Sequence, residues 1–152
     1  MERELRGRYQ VKLDAKGRLS LPAALKEIFS DSTFVLTNSQ FQGGRCLDVY
    51  LDDEWSSLEE KIAKMSPLKK EVQAFQRFYI AGGQAVQGDS QGRLLVPRGL
   101  REYAQLQDHV ILVGMGNKFE LWNLESWQQI FDNLADNFED TLGAIAGLEM
   151  GA

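Results

Sequence analysis

Asp14 and Asp89 open near-identical segments 75 positions apart, DAKGRLSLP from Asp14 to Pro22 and DSQGRLLVP from Asp89 to Pro97. Two carboxylates, one from each half of a duplicated chain, could share a proton as in the aspartic proteases. Those enzymes use Asp-Thr/Ser-Gly. Here Gly17 and Gly92 fall three positions after each aspartate, the arrangement of a turn, and no nucleophile, base and orienting group share a catalytic spacing. Gly83 and Gly88 match the G-x-x-x-x-G of a phosphate loop, but the next position, where such a loop needs lysine, holds Asp89. One cysteine, Cys46, and one histidine, His109, cannot build a Cys/His metal site and are read as strand residues. The expectation is a protein that is not an enzyme and takes no cofactor, metal or small-molecule substrate.

The remaining chemistry is cationic. The net charge is -5, yet the first 18 residues hold Arg3, Arg6, Arg8, Lys12, Lys16 and Arg18 against Glu2, Glu4 and Asp14, whereas Glu125 to Ala152 carries six acids and no Lys or Arg. A basic end on an acidic protein is either a local footprint for a polyanion or a solvated, charge-mixed strand. Strand parity puts Arg8, Lys12 and Arg18 on one face with Gln10 and Ser20, and Lys16 on the turn. A β-ribbon of this width fits the major groove of DNA, which makes Arg6, Arg8, Lys12, Lys16 and Arg18 the candidate DNA-binding residues. The same parity in the second copy gives Ala85, Gln87, Arg93 and Leu95, a face expected to pack. Arg18 has two open roles, contact with DNA or an ion pair with Asp14 that pins the turn. Asp89 and Arg93 repeat the pair where the basic face is missing, so the turn motif is Asp14, Gly17 and Arg18 in one copy and Asp89, Gly92 and Arg93 in the other.

The elements that must position these residues follow from periodicity. Tyr9, Val11 and Leu13, then Leu19 and Leu21, alternate with polar residues about a turn in which glycine accepts positive φ, which predicts a β-hairpin. Pro22 opens a helix with Leu25, Ile28 and Phe29, and strands 33–37 and 46–51 follow around a Gly43-Gly44 turn. Asp52 or Asp53 is expected to cap a helix carrying Trp55, Leu58, Ile62 and Met65. Ser66-Pro67 should start another helix, with Leu68, Val72, Phe75 and Tyr79, which Gly82 and Gly83 end. The hairpin, short helix and strand pair then recur, and a last helix carries Trp127, Ile130, Leu134 and Phe138 before a tail expected to fray from Glu139. Cys46 to Ile62 aligns with Lys118 to Leu134 at an offset of 72, so the repeat includes the later strand and helix. Units of about 45 residues are too small to fold alone and should pack on each other. The expected organisation is a first repeat at 7–54, a helical pair at 55–82, a second repeat at 83–126, and a C-terminal helix with an acidic tail at 127–152. No apolar run approaches the ~18 residues that span a bilayer, and the charged start has no secretory-signal core, so a cytoplasmic location is expected.

The duplicated Asp-x-x-x-Arg hairpin, with GRLS-x-P in one copy and GRL-x-x-P in the other, together with NKFELW at Asn117 to Trp122, resembles the MraZ family from about Gly7 to Leu134. That resemblance implies an α+β fold in which two pseudo-symmetric, SpoVT/AbrB-like swapped-hairpin halves form one small β-barrel with helices at the periphery. The relatives in the AbrB group need two chains for such a barrel. It further implies a transcriptional regulator of the division and cell-wall gene cluster, usually a repressor, that binds short direct repeats of double-stranded DNA in its own promoter. The implied assembly is a ring-shaped homo-oligomer in the cytoplasm, associated with the nucleoid. The competing expectation is a ring-forming scaffold or protein-interaction module without specific DNA binding.

Overall fold

A computed structural model describes residues 5–151, so Glu2, Arg3 and Glu4 of the basic end lie outside the described residues. The first alternating segment forms β1 (Arg8–Leu13), which buries Val11 and Leu13 and exposes Arg8, Gln10 and Lys12. After the turn come β2 (Arg18–Ser20) and α1 (Ala23–Phe29), whose Leu25 and Phe29 are buried. Strands β3 (Thr33–Phe41) and β4 (Gly44–Leu51) follow, then α2 (Asp52–Ala63), α3 (Lys70–Phe75) and a π-helical turn at Gln76–Ile80. The second repeat supplies β5 (Gln84–Gln87), β6 (Arg93–Leu95), α4 (Arg98–Tyr103), β7 (His109–Gly114), β8 (Lys118–Asn123) and α5 (Leu124–Asp136). Helix α6 (Phe138–Gly151) completes the described chain.

All eight strands join one antiparallel sheet in the order β5-β3-β4-β8-β7-β1-β2-β6. The two terminal strands, β5 and β6, approach each other, so the sheet is nearly closed into a barrel. Each repeat's hairpin strands pair with the other repeat: β1 lies on β7, β5 on β3, and β2 on β6. This is a swapped-hairpin barrel made by one chain, and it explains why neither unit can stand alone. A pseudo-twofold runs between equivalent residues, Leu19 opposite Leu94 at one end and Asp48 opposite Glu120 at the other.

Alternation sends one face of every strand inward. Leu19, Leu36, Leu47, Leu94, Leu112 and Leu121 are fully buried in the barrel, closed at one side by Phe29, which stacks on Phe34 at 4.4 Å. The outer face carries two further apolar clusters. One packs α5 through Trp127 and Ile130 against Ile111, Val113 and Trp122. The other packs α2 and the π-helical turn through Trp55 and Tyr79 against Val35 and Tyr50.

Several local expectations are corrected. Strands β3 and β4 run longer than 33–37 and 46–51, and the turn between them uses Gln42 and Gly43, both at positive φ. Neither Asp52 nor Asp53 is an N-cap, because α2 begins at Asp52 itself. The acids instead occupy the first turn, where they complement the helix dipole. Helix α3 starts at Lys70, not Pro67, leaving Leu68 84% exposed. The helix runs on through Tyr79 as expected but its last turn is π-helical, and its terminal carbonyls accept from β3, Tyr79 O from Thr37 Oγ1 at 2.5 Å and Phe78 O from Asn38 Nδ2 at 2.8 Å. The tail does not fray: α6 continues from Asn137, whose carbonyl accepts from Thr141 N at 3.0 Å. Ala, Leu and Met outweigh the cost of Gly143 and Gly147 there.

Candidate nucleic-acid interface

The site grows from the turn between β1 and β2. Gly17 has φ of 88°, a conformation that an L side chain rarely adopts. Asp14 organises everything ahead of it: Oδ1 accepts from Lys16 N at 2.9 Å and from Arg18 N at 2.9 Å, and Oδ2 accepts from Arg18 Nε at 2.8 Å. Asp14 N donates to Arg18 O and Gly17 N to Asp14 O, both at 3.0 Å. The amide of Arg18 foremost, with its guanidinium and the Lys16 amide, holds the Asp14 carboxyl below the usual range.

The second turn repeats this network. Asp89 accepts from Gln91 N at 2.9 Å, Arg93 N at 2.8 Å and Arg93 Nε at 2.9 Å, with Gly92 at φ of 74°. The Arg93 amide, then its guanidinium and the Gln91 amide, lower the Asp89 carboxyl in the same way. The same Asp–Arg ion pair therefore closes the turn in both copies, Arg18 on Asp14 and Arg93 on Asp89. Among the described residues only the Nε of Arg18 is engaged by that pair, which leaves the Nη groups available to an oxyanion.

What differs is the charge around the two turns. Lys12, Lys16 and Arg8 are exposed in the first copy, and the residues 75 positions on are Gln87, Gln91 and Gly83. The structure groups Lys12, Lys16 and Arg18 at the turn end of the hairpin. Arg8 points its guanidinium over Phe131 of α5, 4.9 Å from the ring centre, and Arg6 is exposed on the segment before β1. The outer face of the second copy is not covered within the chain: Ala85, Gln87 and Leu95 are exposed, and only Arg93, held by Asp89, is half-buried.

Sequence reading missed two neighbours of the first turn. His109 stands opposite Lys12 on β7 and is exposed. Arg101 of α4 lies against Gly17 and donates from Nε to Val96 O at 3.0 Å. The signal for Arg101 was present, since Lys26 sits 75 positions before it and packs against Gly92 of the second turn.

A one-chain barrel of swapped hairpins, each hairpin pinned by Asp-x-x-x-Arg, defines the class to which this protein belongs. Residues 5–78 and 79–144 each match the family described as "MraZ protein, putative antitoxin-like". The chain is 40% identical to the transcriptional regulator MraZ of Heliobacterium modesticaldum over 144 residues, covering 95% of this chain and 98% of that one. Against the transcriptional regulator MraZ of Ligilactobacillus salivarius it is 39% identical over 134 residues, 88% of this chain and 91% of the other. Against that of Halothermothrix orenii it is 35% identical over 142 residues, 93% and 96%. The chain belongs to the MraZ family. No helix among the described residues is long and apolar enough to cross a membrane.

Proposed function

We propose that the protein is a transcriptional regulator that binds double-stranded DNA through its first hairpin. The observation that carries the reading is the contrast between two turns with the same hydrogen bonds. One has Lys12 and Lys16 beside it and Arg101 against Gly17; the other has Gln87 and Gln91 at the matching positions and only the Lys26 stem against Gly92. A turn serving only the fold has no need of that asymmetry, whereas a phosphate backbone selects for it. The names of the relatives support the same reading.

In this reading Arg6, just ahead of the 7–54 repeat, and Arg8, Lys12, Lys16 and Arg18 within it contact a direct-repeat operator upstream of the protein's own division and cell-wall gene cluster, and the usual outcome is repression. The 55–82 helices link it to the 83–126 repeat, and residues 127–152 serve assembly. The protein acts in the cytoplasm on the nucleoid as a ring-shaped homo-oligomer, without catalysis or a small-molecule substrate. Support for assembly comes from α6, which exposes Phe138, Leu142, Ile145 and Leu148, the last at 74%. The same stripe favours the second reading, a ring-forming scaffold without specific DNA binding.

Salt separates the two. A regulator that neutralises about three to five phosphates per hairpin loses duplex affinity with a log-log slope near -0.9 per phosphate. A scaffold shows no such retention, and protection of a repeated element upstream of its own gene is expected of the regulator alone.

A further inference from the structure

A Cβ built on Gly17 would come within 2.6 Å of Arg101 Nε and 2.7 Å of its Cζ. The guanidinium from α4 thus packs on bare backbone at the tip of the first turn. Val96 fixes it there: Val96 O accepts from Arg101 Nε at 3.0 Å, while Val96 N donates to Gly17 O at 2.8 Å. The counterpart contact is different in kind, because Lys26 meets Gly92 with its aliphatic stem, Cγ at 2.8 Å and Cβ at 3.2 Å from a built Cβ.

We propose that Arg101 is a phosphate-binding group lent by the second repeat to the first turn, so that the DNA-contacting surface is composite. This rests on the reading of the first hairpin as the DNA-binding element. Arg101 is half-buried and adds a third cation beside Lys16 and Arg18, held by its backbone bond in one orientation. Preorganisation of this kind lowers the ordering cost of binding.

R101A is expected to weaken binding to an operator duplex about tenfold and to reduce the steepness of the salt dependence by about 0.9. R101K, which keeps the charge, should retain the slope, and K26A should leave affinity and slope unchanged. In the wild-type protein the Arg101 guanidinium resonances should shift on adding duplex, a readout that does not depend on any variant folding. Wild-type slope in R101A, or guanidinium resonances that do not move, overturns the assignment. Full binding by the K16A/R18A double variant would instead overturn the parent reading, so the two failures are distinguishable.

A different observation sits at the other end of the pseudo-twofold. Asp48 is fully buried; its Oδ2 accepts from Lys118 Nζ at 2.8 Å and from the Tyr79 hydroxyl, which also bonds Tyr50 Oη at 2.6 Å. Asp48 Oδ1 has no partner among the described residues. Opposite it on β8 stands half-buried Glu120, whose Oε1 accepts from Trp122 Nε1 at 3.0 Å. Burial foremost, and the charge of Asp48, push the Glu120 carboxyl above its usual range against the opposing Trp122 bond and Lys118 charge. Cys46 and Tyr50 are the other titratable groups on this face of β4, the alternate residue Arg45 lying over Tyr103, and β7 faces Glu120 with the uncharged Val113 while α5 contributes Trp127.

We infer that Glu120 folds as the neutral acid and donates from Oε2 to Asp48 Oδ1, so that one proton joins the repeats across the β4–β8 ladder. A folded-state pKa above the unfolded value means that this contribution is complete below about 4.5 and is lost as pH rises through the folded value. E120Q carries a permanent N–H donor, so its Tm should gain on the wild type with rising pH, by about 3 °C or more at alkaline pH. Parallel Tm curves, or a Glu120 carboxyl carbon in the wild type that titrates at or below 4.5, overturn the inference. Cys46 and the two carboxylates also offer donor atoms within 4.8 Å of one another, although Lys118 already neutralises Asp48. A Tm raised by zinc in chelator-stripped wild type but not in C46S would replace the proton by a cation and overturn the inference as well.

Discussion

Leu19 faces Leu94 across the β2–β6 ladder, and each holds in its own repeat the position that the other holds in the second. Both are fully buried, so the contact joins the two repeats inside the barrel along its β2–β6 wall. Leu19→Ala and Leu94→Ala are each expected to cost about 2–5 kcal/mol. The double variant should depart from additivity by about 0.5–3 kcal/mol, since the residues are direct neighbours. Urea unfolding followed by tryptophan fluorescence and by circular dichroism should give coincident transitions, because both repeats share the barrel core. Two separated transitions would contradict the interleaved barrel.

Acid sensitivity should trace to the turn aspartates. The carboxyls of Asp14 and Asp89 lie below their unfolded value of 3.8. Depressed acids contribute stability above that value and lose it as pH falls through the folded pKa. D14N and D89N should each lower Tm at neutral pH and flatten the loss of Tm on acidification. An acid limb as steep as that of the wild type in D14N/D89N would remove these carboxylates from the account.

The K16A/R18A variant is expected to abolish operator binding, while R93A spares most of it. Since Arg18 and Arg93 make the same bond to their aspartates, at 2.8 and 2.9 Å, both variants should lose similar Tm. Calorimetry beside a binding assay separates the two effects. Equal loss of binding from R93A would place DNA contact on both hairpins or on neither.

Hairpins presented by neighbouring subunits should bind cooperatively only in phase. One hairpin alone is expected near ~10⁻⁴ to 10⁻⁶ M at physiological salt, and linked contacts raise affinity ~10² to 10⁴-fold. Inserting about 5 base pairs between operator boxes should reduce affinity sharply, and about 10 should restore part of it, since one turn of B-DNA is about 10 to 10.5 base pairs. Flat affinity across that series, or full-strength binding of a single box by a monomer, would leave avidity without support.

The repeat, the inward leucines and the turn chemistry were legible because each is local or periodic: Asp14 finds its partners within four residues. The swapped pairing entered through family resemblance, since alternation in Gln84–Gln87 does not say which strand it will meet. The docking of the π-helical turn was illegible because its partners lie 40 or more positions away, Thr37 on Tyr79 O and Asn38 on Phe78 O. Arg101 was missed for a related reason: its Lys26 counterpart was visible at the right offset, but its place beside Gly17 exists only once the strands have crossed. Helix α6 was not legible because Gly143 and Gly147 interrupt an apolar run that has no core face to give it a buried stripe.

Interleaving within one chain also bears on how such a protein can change. Were the same barrel assembled from two copies of a shorter polypeptide, every codon altered in one hairpin would be altered in its mate, and a residue suited to one partner would be forced on both. Covalent tandem duplication removes that mirror. Lys12 and Gln87, or Lys16 and Gln91, occupy matching places yet descend separately, while the Asp14–Arg18 and Asp89–Arg93 clasps stay alike because each half's folding depends on its own. The fused chain can therefore specialise one arm while the other drifts.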